Sequence, residues 1–237
     1  LVCRSYDDRG NAIEYEYAAE GDDGVDTSRP NERFRSRSAN RYLKRVRYGN
    51  RKPVPVVPTG SAAGSRHLPR PHIDSETGWL FEVVLDYGDE PFDHEPDADG
   101  FERVSWTQAE PGPRPARRDP FSVSRSGFEV RTYRLCKRIF VVHRMHEMLG
   151  AARTLVRGIH LGYDERPTGT RLTSITQSGY RMLDDGSYRR RSLPALLLHY
   201  AESPLDDPAP RNWAVRQLPA ESLENLPAGI AGPGYQW

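Results

Sequence analysis

The chain has 237 residues, of which 36% are hydrophobic, 20 are proline and 20 are glycine, and its mean hydropathy is −0.76. This composition is typical of a loop-rich β protein and speaks against a compact α/β enzyme. The 34 basic and 33 acidic residues leave a net charge of +1, so no overall field favours nucleic acid or an anionic membrane as a partner.

The two cysteines and the ends of the chain carry little chemical information. Cys3 and Cys136 fit no metal-binding spacing and are expected to be isolated thiols, although one disulfide between them stays open. No apolar segment approaches the roughly 20 residues that span a bilayer, so no transmembrane segment is predicted. No signal peptide is visible, Leu1 is no natural start, and the chain stops at Trp237 without a polar tail. We expect a piece of a longer protein.

In chain order, short alternating segments separated by turn residues predict antiparallel strands. Leu1–Ser5 is expected to end a strand. The turn signal YDDRGN at 6–11 then leads into an alternating strand at 12–18, which predicts a hairpin. The same alternation or a dense apolar run predicts further strands at 40–48, 79–87, 154–163, 171–180 and 193–200.

The stretch GFEVRTYRLCKRIFVVH, residues 127–143, is the strongest strand signal in the chain. Its first half alternates, and Ile139 to Val142 form an unbroken β-branched and aromatic run that indicates a strand covered on both faces. We predict one long central strand, bent near Leu135–Cys136, followed by a helical turn or wide loop at 143–150. The expected fold is therefore all-β, a mostly antiparallel meander of hairpins with long Pro/Gly-rich loops.

Polar and proline-rich segments interrupt this pattern. Residues 20–40 are predicted to be a loop, and residues 51–77 and 88–118 are predicted to be mobile insertions, with Trp106 pinning the second to the surface. The proline-punctuated tail at 202–237 is predicted to be an irregular linker.

Two clusters resemble catalytic or metal-binding motifs without satisfying them. His143, His146 and Glu147 in HRMHE place two histidines three residues apart, whereas the zinc-protease helix requires a spacing of four with a glutamate between. Glu14 and Glu16 form a Glu-X-Glu pair like that of ADP-ribosyltransferases. The pair lies in an alternating strand with no Ser-Thr-Ser strand upstream, and both carboxylates should face one side.

Other active-site signals are missing from the sequence. There is no Gly-X-Ser-X-Gly elbow, since the nearest pairs, Gly60-Ser61 and Gly64-Ser65, lie in a Pro-rich segment. The arginine-rich runs at 33–47 and 189–191 favour solvated strand faces over a nucleic-acid patch. We therefore predict no catalytic, cofactor-binding or metal-binding residue and no enzymatic activity for this segment.

Several long blocks resemble the SpvB-type domain of the Salmonella virulence plasmid B protein and of the B component of insecticidal toxin complexes. They are YDDRGNAIEYEY at 6–17, ANRYLKRVRYGNR at 39–51, WLFEVVLDYGD at 79–89, DPFSVSRSGFEVRTYRLCKR at 119–138, LTSITQSGYR at 172–181 and RRSLPALLLHY at 190–200. The closing GPGYQW at 232–237 resembles the passage into a β-propeller. The resemblance implies that residues 1–237 form a partial SpvB-type domain whose N-terminal part is missing.

The same resemblance implies a function. The chain would be a non-catalytic segment of a secreted toxin that adds strands to the β-shell enclosing an effector. Its partners would be the propeller and Rhs repeats of its own protein and the toxin-complex A and C components. Its place would be extracellular, with cytoplasmic storage before release equally compatible.

Two alternatives from other classes stay open at this point. In the first, the chain is an accessory or targeting region of a toxin with a separate ADP-ribosyltransferase domain downstream. In the second, it is a surface-binding module with an exposed aromatic platform built from Trp79, Trp106 or Trp213.

Overall fold

The structure, a computed structural model, describes residues 1–54, 78–96, 101–106, 112–150 and 152–201. The chain divides into a unit of residues Leu1–Tyr200, described below, and a unit of residues Ala201–Trp237. In the described ranges, the only helix is the single turn α1 (His146–Leu149). The strands are β1 (Arg4–Tyr6), β2 (Ala12–Ala19), β3 (Arg41–Asn50), β4 (Trp79–Asp86), β5 (Phe92–Pro96), β6 (Glu102–Trp106), β7 (Phe121–Val123), β8 (Val130–Thr132), β9 (Arg138–His143), β10 (Thr154–Asp164), β11 (Arg171–Met182), β12 (Tyr188–Ser192) and β13 (Leu196–Leu197).

Eleven of these strands form one antiparallel sheet. Its order is β1-β2-β3-β4-β9-β10-β11-β12-β6-β5, and β13 pairs with β11 alongside β12. Strands β7 and β8 form a separate two-stranded sheet. The all-β, mostly antiparallel prediction is confirmed, as are the first hairpin and the helical turn at 143–150.

The large sheet curls so that its far end covers its middle. Phe92 on β5 lies five strands away from Phe140 on β9 in the sheet order, yet their ring centroids are 5.2 Å apart. Trp106 on β6 lies 6.2 Å from the same Phe140 ring. Because successive side chains of a strand point to opposite faces, curling buries the apolar side chains that point to the inner face. The resulting core consists of Val84, Phe92, Val104, Trp106, Phe140, Val142, Leu155 and Tyr188.

The first hairpin turn follows directly from its sequence. The Asp7 carboxylate accepts the backbone N–H groups of Arg9 (3.0 Å) and Asn11 (2.8 Å), the local capture that makes Asp a turn residue. Gly10 has φ +82°, a conformation that side chains disfavour. A Cβ there would also lie 3.0 Å from Cβ of Pro53.

The prediction of one long central strand at 127–143 is wrong. Val130–Thr132 belongs to the small sheet and Arg138–His143 to the large one, with irregular chain between them. The break occurs because the Tyr133 N–H is captured by side chains, the Tyr42 hydroxyl at 3.1 Å and the Glu20 carboxylate at 3.3 Å, instead of by a neighbouring strand. The second half does lie at the centre of the sheet, between β4 and β10.

The segment 88–118, which was predicted to be a mobile insertion, contains regular strands, and its mobility stays a prediction. Strands β5 and β6 lie within it and pair as a hairpin, because Phe92, Val104 and Trp106 supply buried apolar positions among the charged residues. Trp106 therefore packs in the core and not on the surface. Most of the predicted insertion at 51–77, and all of the predicted linker at 202–237, lie outside the described residues.

The strand predicted at 193–200 is also only partly correct. Strand β12 at Tyr188–Ser192 was missed, and the predicted stretch retains only the two-residue β13. Pro194 lacks an N–H and interrupts the pairing. The Leu193 N–H still bonds the Gln177 carbonyl at 2.8 Å and the Leu198 N–H bonds the Thr173 carbonyl at 2.9 Å, so residues 193–198 follow β11 around the interruption.

Candidate functional site: a charged strand face, a buried ion-pair layer and open edges

One face of β2, β3 and β4 carries a ladder of opposite charges. In the antiparallel registers Glu14 lies opposite Arg47, Glu16 opposite Arg45, and Arg47 opposite Glu82. Arg47 reaches the carboxylates of Glu14 at 3.0 Å and Glu16 at 2.9 Å. Opposite charges at facing positions stabilise strand pairing. The Glu-X-Glu pair does face one side, as predicted, and both carboxylates are engaged by arginine.

At the inner end of the ladder, Glu82 is buried and shared by three arginines. Its carboxylate lies 2.8 Å from Arg45, 2.8 Å from Arg153 and 3.6 Å from Arg144. A buried carboxylate is tolerated only when it is paired and hydrogen-bonded, and this one is surrounded by donors. The arrangement fixes the approach of β3 and of the β9–β10 connection to β4.

A second set of buried charges joins the sheet to the segments 20–40 and 112–137, which we call the loop layer. Its centre is the pair of Arg134 and Glu20, whose side chains are both 0% exposed and whose Nε and Oε1 are 2.8 Å apart. The Arg134 guanidinium also donates to the carbonyls of Gly21 and Asp23, each at 2.7 Å. The Tyr42 hydroxyl donates to Glu20, and burial together with this contact raises the pKa of Tyr42 to about 12.

The loop layer contains further closed ion pairs. The Glu32 carboxylate accepts from both the Tyr133 hydroxyl and the Arg131 guanidinium, which lies 5.3 Å from the Tyr133 ring centre. Burial alone would raise the pKa of Glu32, but these donors outweigh it and the pKa is lowered. Outside the loop layer, Lys44 of β3 is likewise buried against Asp89 at 2.7 Å and Glu90 at 2.9 Å.

A polar cleft of about 650 Å³ opens beside the loop layer, lined by residues of 24–32, 116–121, Arg131, Tyr133 and 167–168. Its principal charges are paired within the chain: Arg29 with Asp26, Arg117 with Asp119, and Arg131 with Glu32. The ion pairs that line the cleft therefore stabilise the fold.

The histidine, glutamate and serine residues that were considered from the sequence do not come together as a site. His143 lies on β9 with its ring 5.2 Å from Phe81, whereas His146 and Glu147 are exposed in α1. Across the described ranges, no group of three His, Cys, Asp or Glu side chains is arranged to hold a metal ion. Gly60-Ser61 and Gly64-Ser65 lie outside those ranges.

The candidates for an exposed aromatic platform are not equivalent. Trp106 is buried in the core, Trp79 is half-buried on β4, and Trp213 lies outside the described residues. The described tryptophans therefore do not form an exposed platform. Arg189 and Arg190 lie half-buried on β12, and Arg191 lies exposed beside them, so this run lies on a strand as predicted but is only partly solvated.

Both cysteines are free thiols, Cys3 exposed and Cys136 half-buried. Burial raises the pKa of the Cys136 thiol to about 11, with Asp86 adding to the effect, so it carries no thiolate for nucleophilic chemistry at neutral pH. The described part of the chain has no helix with the length and apolar character needed to cross a membrane.

The sequence did not indicate which strands form the open edges of the large sheet. Among the described residues, strand β1 ends the sheet on one side and β5 on the other, and β13 adds a third edge beside β12. Leu193, Leu196 and Leu197 along that third edge are 60%, 62% and 62% exposed. The dense apolar run LPALLLHY was the available signal, and it was interpreted only as a strand.

These features define a class of protein: an antiparallel β-sheet scaffold whose polar residues are used for structure. The family model described as "Salmonella virulence plasmid 65kDa B protein" matches residues 1–145. The chain belongs to this SpvB family.

Known relatives agree with this assignment. The Mono(ADP-ribosyl)transferase SpvB of Salmonella typhimurium is 37% identical over 190 residues, which is 80% of this chain and 28% of that protein. The solved N-terminal domain of effector protein SpvB from Salmonella typhimurium strain LT2 aligns at a TM-score of 0.59 with 36% identity, over 76% of this chain and 51% of that one. This chain thus spans less than a third of the curated relative, and the solved SpvB structure it matches is the N-terminal domain.

Toxin-complex structures align as well. The crystal structure of TcdB2-TccC3 aligns at a TM-score of 0.62 with 29% identity, over 83% of this chain and 9% of that chain. The Photorhabdus luminescens Tc holotoxin pore aligns at 0.59 with 30% identity, over 81% of this chain and 8% of that one. The chain is therefore similar to a toxin-associated structural region that occupies a small part of very large polypeptides.

Proposed function

We propose that this chain is a non-catalytic structural segment of a secreted bacterial toxin, and that it contributes strands to a β-shell that encloses and helps deliver a toxic effector. The observation that carries the proposal is a sheet with open edges whose fold aligns with a small part of the TcdB2-TccC3 polypeptide. A shell needs segments of this kind, since strands with unpaired edges are completed by neighbouring strands.

The chemistry of the described residues supports a structural role. The carboxylates that sequence reasoning considered for catalysis, Glu14 and Glu16, are held by Arg47. The side chains of Glu20 and Arg134 are fully buried and pair with each other, and Arg134 also donates to the Gly21 carbonyl. A general acid or base needs a reachable proton and a poised pKa, and these groups are committed to contacts within the fold.

The partners would be the propeller and Rhs repeats of the same large protein and the toxin-complex A and C components. The place of action would be extracellular, with cytoplasmic storage before release compatible with the same role. The similarity to the Tc holotoxin pore supports toxin-complex partners as a class.

The second candidate is an accessory region of a toxin that carries a separate ADP-ribosyltransferase domain. The 37% identity to the Mono(ADP-ribosyl)transferase SpvB favours it. In this case the chain would be non-catalytic as well, and the two candidates differ in what the gene encodes next.

Sequencing the gene beyond the codon for Trp237 separates the two. A propeller followed by Rhs repeats is the result expected for the shell segment. A short extension ending in a transferase domain would instead assign the chain to a single-chain toxin. A stop codon at that point would contradict both.

A further inference from the structure

The three edges that the described strands leave open differ in how well they are protected against pairing. Strand β1 has three residues, and the charged Arg4 within it pairs with Glu14. Strand β5 has exposed Asp93, His94 and Glu95 and ends at Pro96. Shortness, charge and proline are the devices by which natural sheets keep an edge from accepting another strand.

The third edge has none of the charge that protects the other two, although β13 is only two residues long and Pro194 precedes it. Residues Leu193–Leu198 follow β11, and this stretch contains no charged side chain. Leu193, Leu196 and Leu197 are 60–62% exposed. Natural sheets avoid exposed leucines on an open edge unless another strand pairs with that edge.

The register fixes which backbone groups face outward. Leu198 donates its N–H to Thr173, so Leu198 and Thr173 are a hydrogen-bonded pair. Leu197 is opposite Ser174, one step along. Since hydrogen-bonded and non-hydrogen-bonded pairs alternate in antiparallel ladders, the N–H and C=O of Leu197 point away from β11.

From these observations we infer that the outer edge at Leu193–Leu198, which we call the leucine edge, is where this sheet accepts a strand of the toxin shell from outside residues 1–237. The inference rests on the proposed function. The incoming strand pairs antiparallel, like every other strand of this sheet, and presents apolar side chains to the leucines. Its C-terminal end carries an acidic residue, because antiparallel pairing brings that end next to the exposed Arg191.

Amide hydrogen exchange of the ¹⁵N-labelled chain of residues 1–237 tests the edge directly. The probe is a capped peptide, acetyl-Thr-Val-Thr-Val-Thr-Val-Glu-amide, at millimolar concentration. We expect the Leu197 N–H to exchange quickly in the free chain, with the Leu198 N–H protected, and to slow at least about tenfold with the peptide. The same peptide ending in Lys should protect Leu197 less.

Two matched variants keep the test independent of folding. Leu197→Pro removes an outward N–H, which an edge position tolerates, and should abolish the protection of the edge residues by the peptide. Arg4→Pro is the control, because the bonds from Asp7 to Asn11 and from Tyr15 to Cys3 make Arg4 an outward position on β1. It should leave the peptide effect at the leucine edge unchanged.

Three results would overturn the inference. They are Leu197 protection in the free monomer, protection that appears on raising the concentration of the chain alone, and no protection with peptide. The second would assign the edge to another copy of this chain. If Leu197 is not protected but the downstream gene encodes a propeller and Rhs repeats, only the assignment of this edge fails and the shell role stands.

Discussion

The core of the sheet and the loop layer are held by different proportions of apolar and charged contacts. On the curled side, Phe92, Trp106 and Phe140 form an aromatic core. In the loop layer, buried ion pairs such as Arg134–Glu20 and Arg131–Glu32 hold the segments together. The comparison shows how a chain with only 36% hydrophobic residues can hold a large sheet. It uses an aromatic core between the curled strands, and paired charges both beside that core, as at Glu82, and in the loop layer.

The largest effect should come from the aromatic core. Phe140→Ala should lower the free energy of unfolding by about 4 kcal/mol, because the cavity cannot collapse between strands held by hydrogen bonds. Val141, next in sequence and half-buried on the opposite face, is the control, and Val141→Ala should cost about 1 kcal/mol. Urea titration followed by tryptophan fluorescence measures both. Equal losses at the two positions would contradict a one-sided core.

The loop layer should be nearly as sensitive when a single charge is removed. Arg134→Met should cost about 3 kcal/mol, because it leaves the Glu20 carboxylate buried and unpaired. The double variant Arg134→Met with Glu20→Met should be more stable than the single one, since no lone charge remains. A double variant that loses as much as the sum of two single changes would contradict the coupling.

Acid should weaken the core before it weakens the loop layer. Burial among Phe92, Phe140 and Tyr180, with Arg190, Arg138 and His94 nearby, lowers the pKa of His160 to about 4. The unfolded chain takes up this proton near pH 6.5 and the folded chain only near 4, so stability falls as the pH falls through that window. The loss is on the order of 2 kcal/mol after allowance for partial exposure.

His160→Gln removes this titration and is the variant to compare. Its unfolding free energy should vary less between pH 6.5 and 4 than that of the unchanged protein. Parallel pH profiles for the two proteins would show that His160 does not carry the effect.

In the loop layer, protonation of a carboxylate should lower the stability at a lower pH than protonation of His160 does. Burial opposes ionisation of Asp119, but bonds from Arg117 and Thr170 outweigh it and lower its pKa to about 2. Its contribution is present above the ordinary pKa of 3.8 and is lost as the pH falls towards 2, about 1.5 kcal/mol in all. Asp119→Asn should therefore destabilise the protein at pH 5 and make little difference at pH 2. A constant difference across that range would argue against it.

The smallest effect should come from the outer end of the charge ladder. Arg4 pairs with Glu14 at 3.7 Å, and the Arg4 side chain is 47% exposed. Arg4→Ala should cost less than about 0.5 kcal/mol, because exposed pairs are screened by water and salt. If Arg4→Ala lowered the free energy of unfolding as much as Arg134→Met does, exposed and buried ion pairs would not differ in their contribution to stability.

The sequence correctly predicted the strands and the turn that are determined by residues close together in the chain. The hairpin at 4–19 follows from Asp7, Gly10 and strict alternation, and the strands at 41–50, 79–86, 154–164 and 171–182 follow from apolar periodicity. The family resemblance was confirmed for the same reason, since it rested on these blocks.

The errors arose where long-range contacts decide the structure. The Tyr133 N–H is captured by Tyr42 and Glu20, residues about 90 to 110 positions away, so alternation could not reveal the break in the central stretch. Strands β5 and β6 look polar because their exposed residues are charged, and only the curl of the sheet buries Phe92 and Trp106. Arginine and carboxylate positions likewise gave no sign of which pairs would be buried.

Electron cryo-microscopy of the intact toxin particle tests the shell role most directly. The account predicts that strands from outside residues 1–237 continue the large sheet, with one of them antiparallel to Leu193–Leu198. A separate domain with every edge in water and no strand beyond β1, β5 or β13 would contradict it.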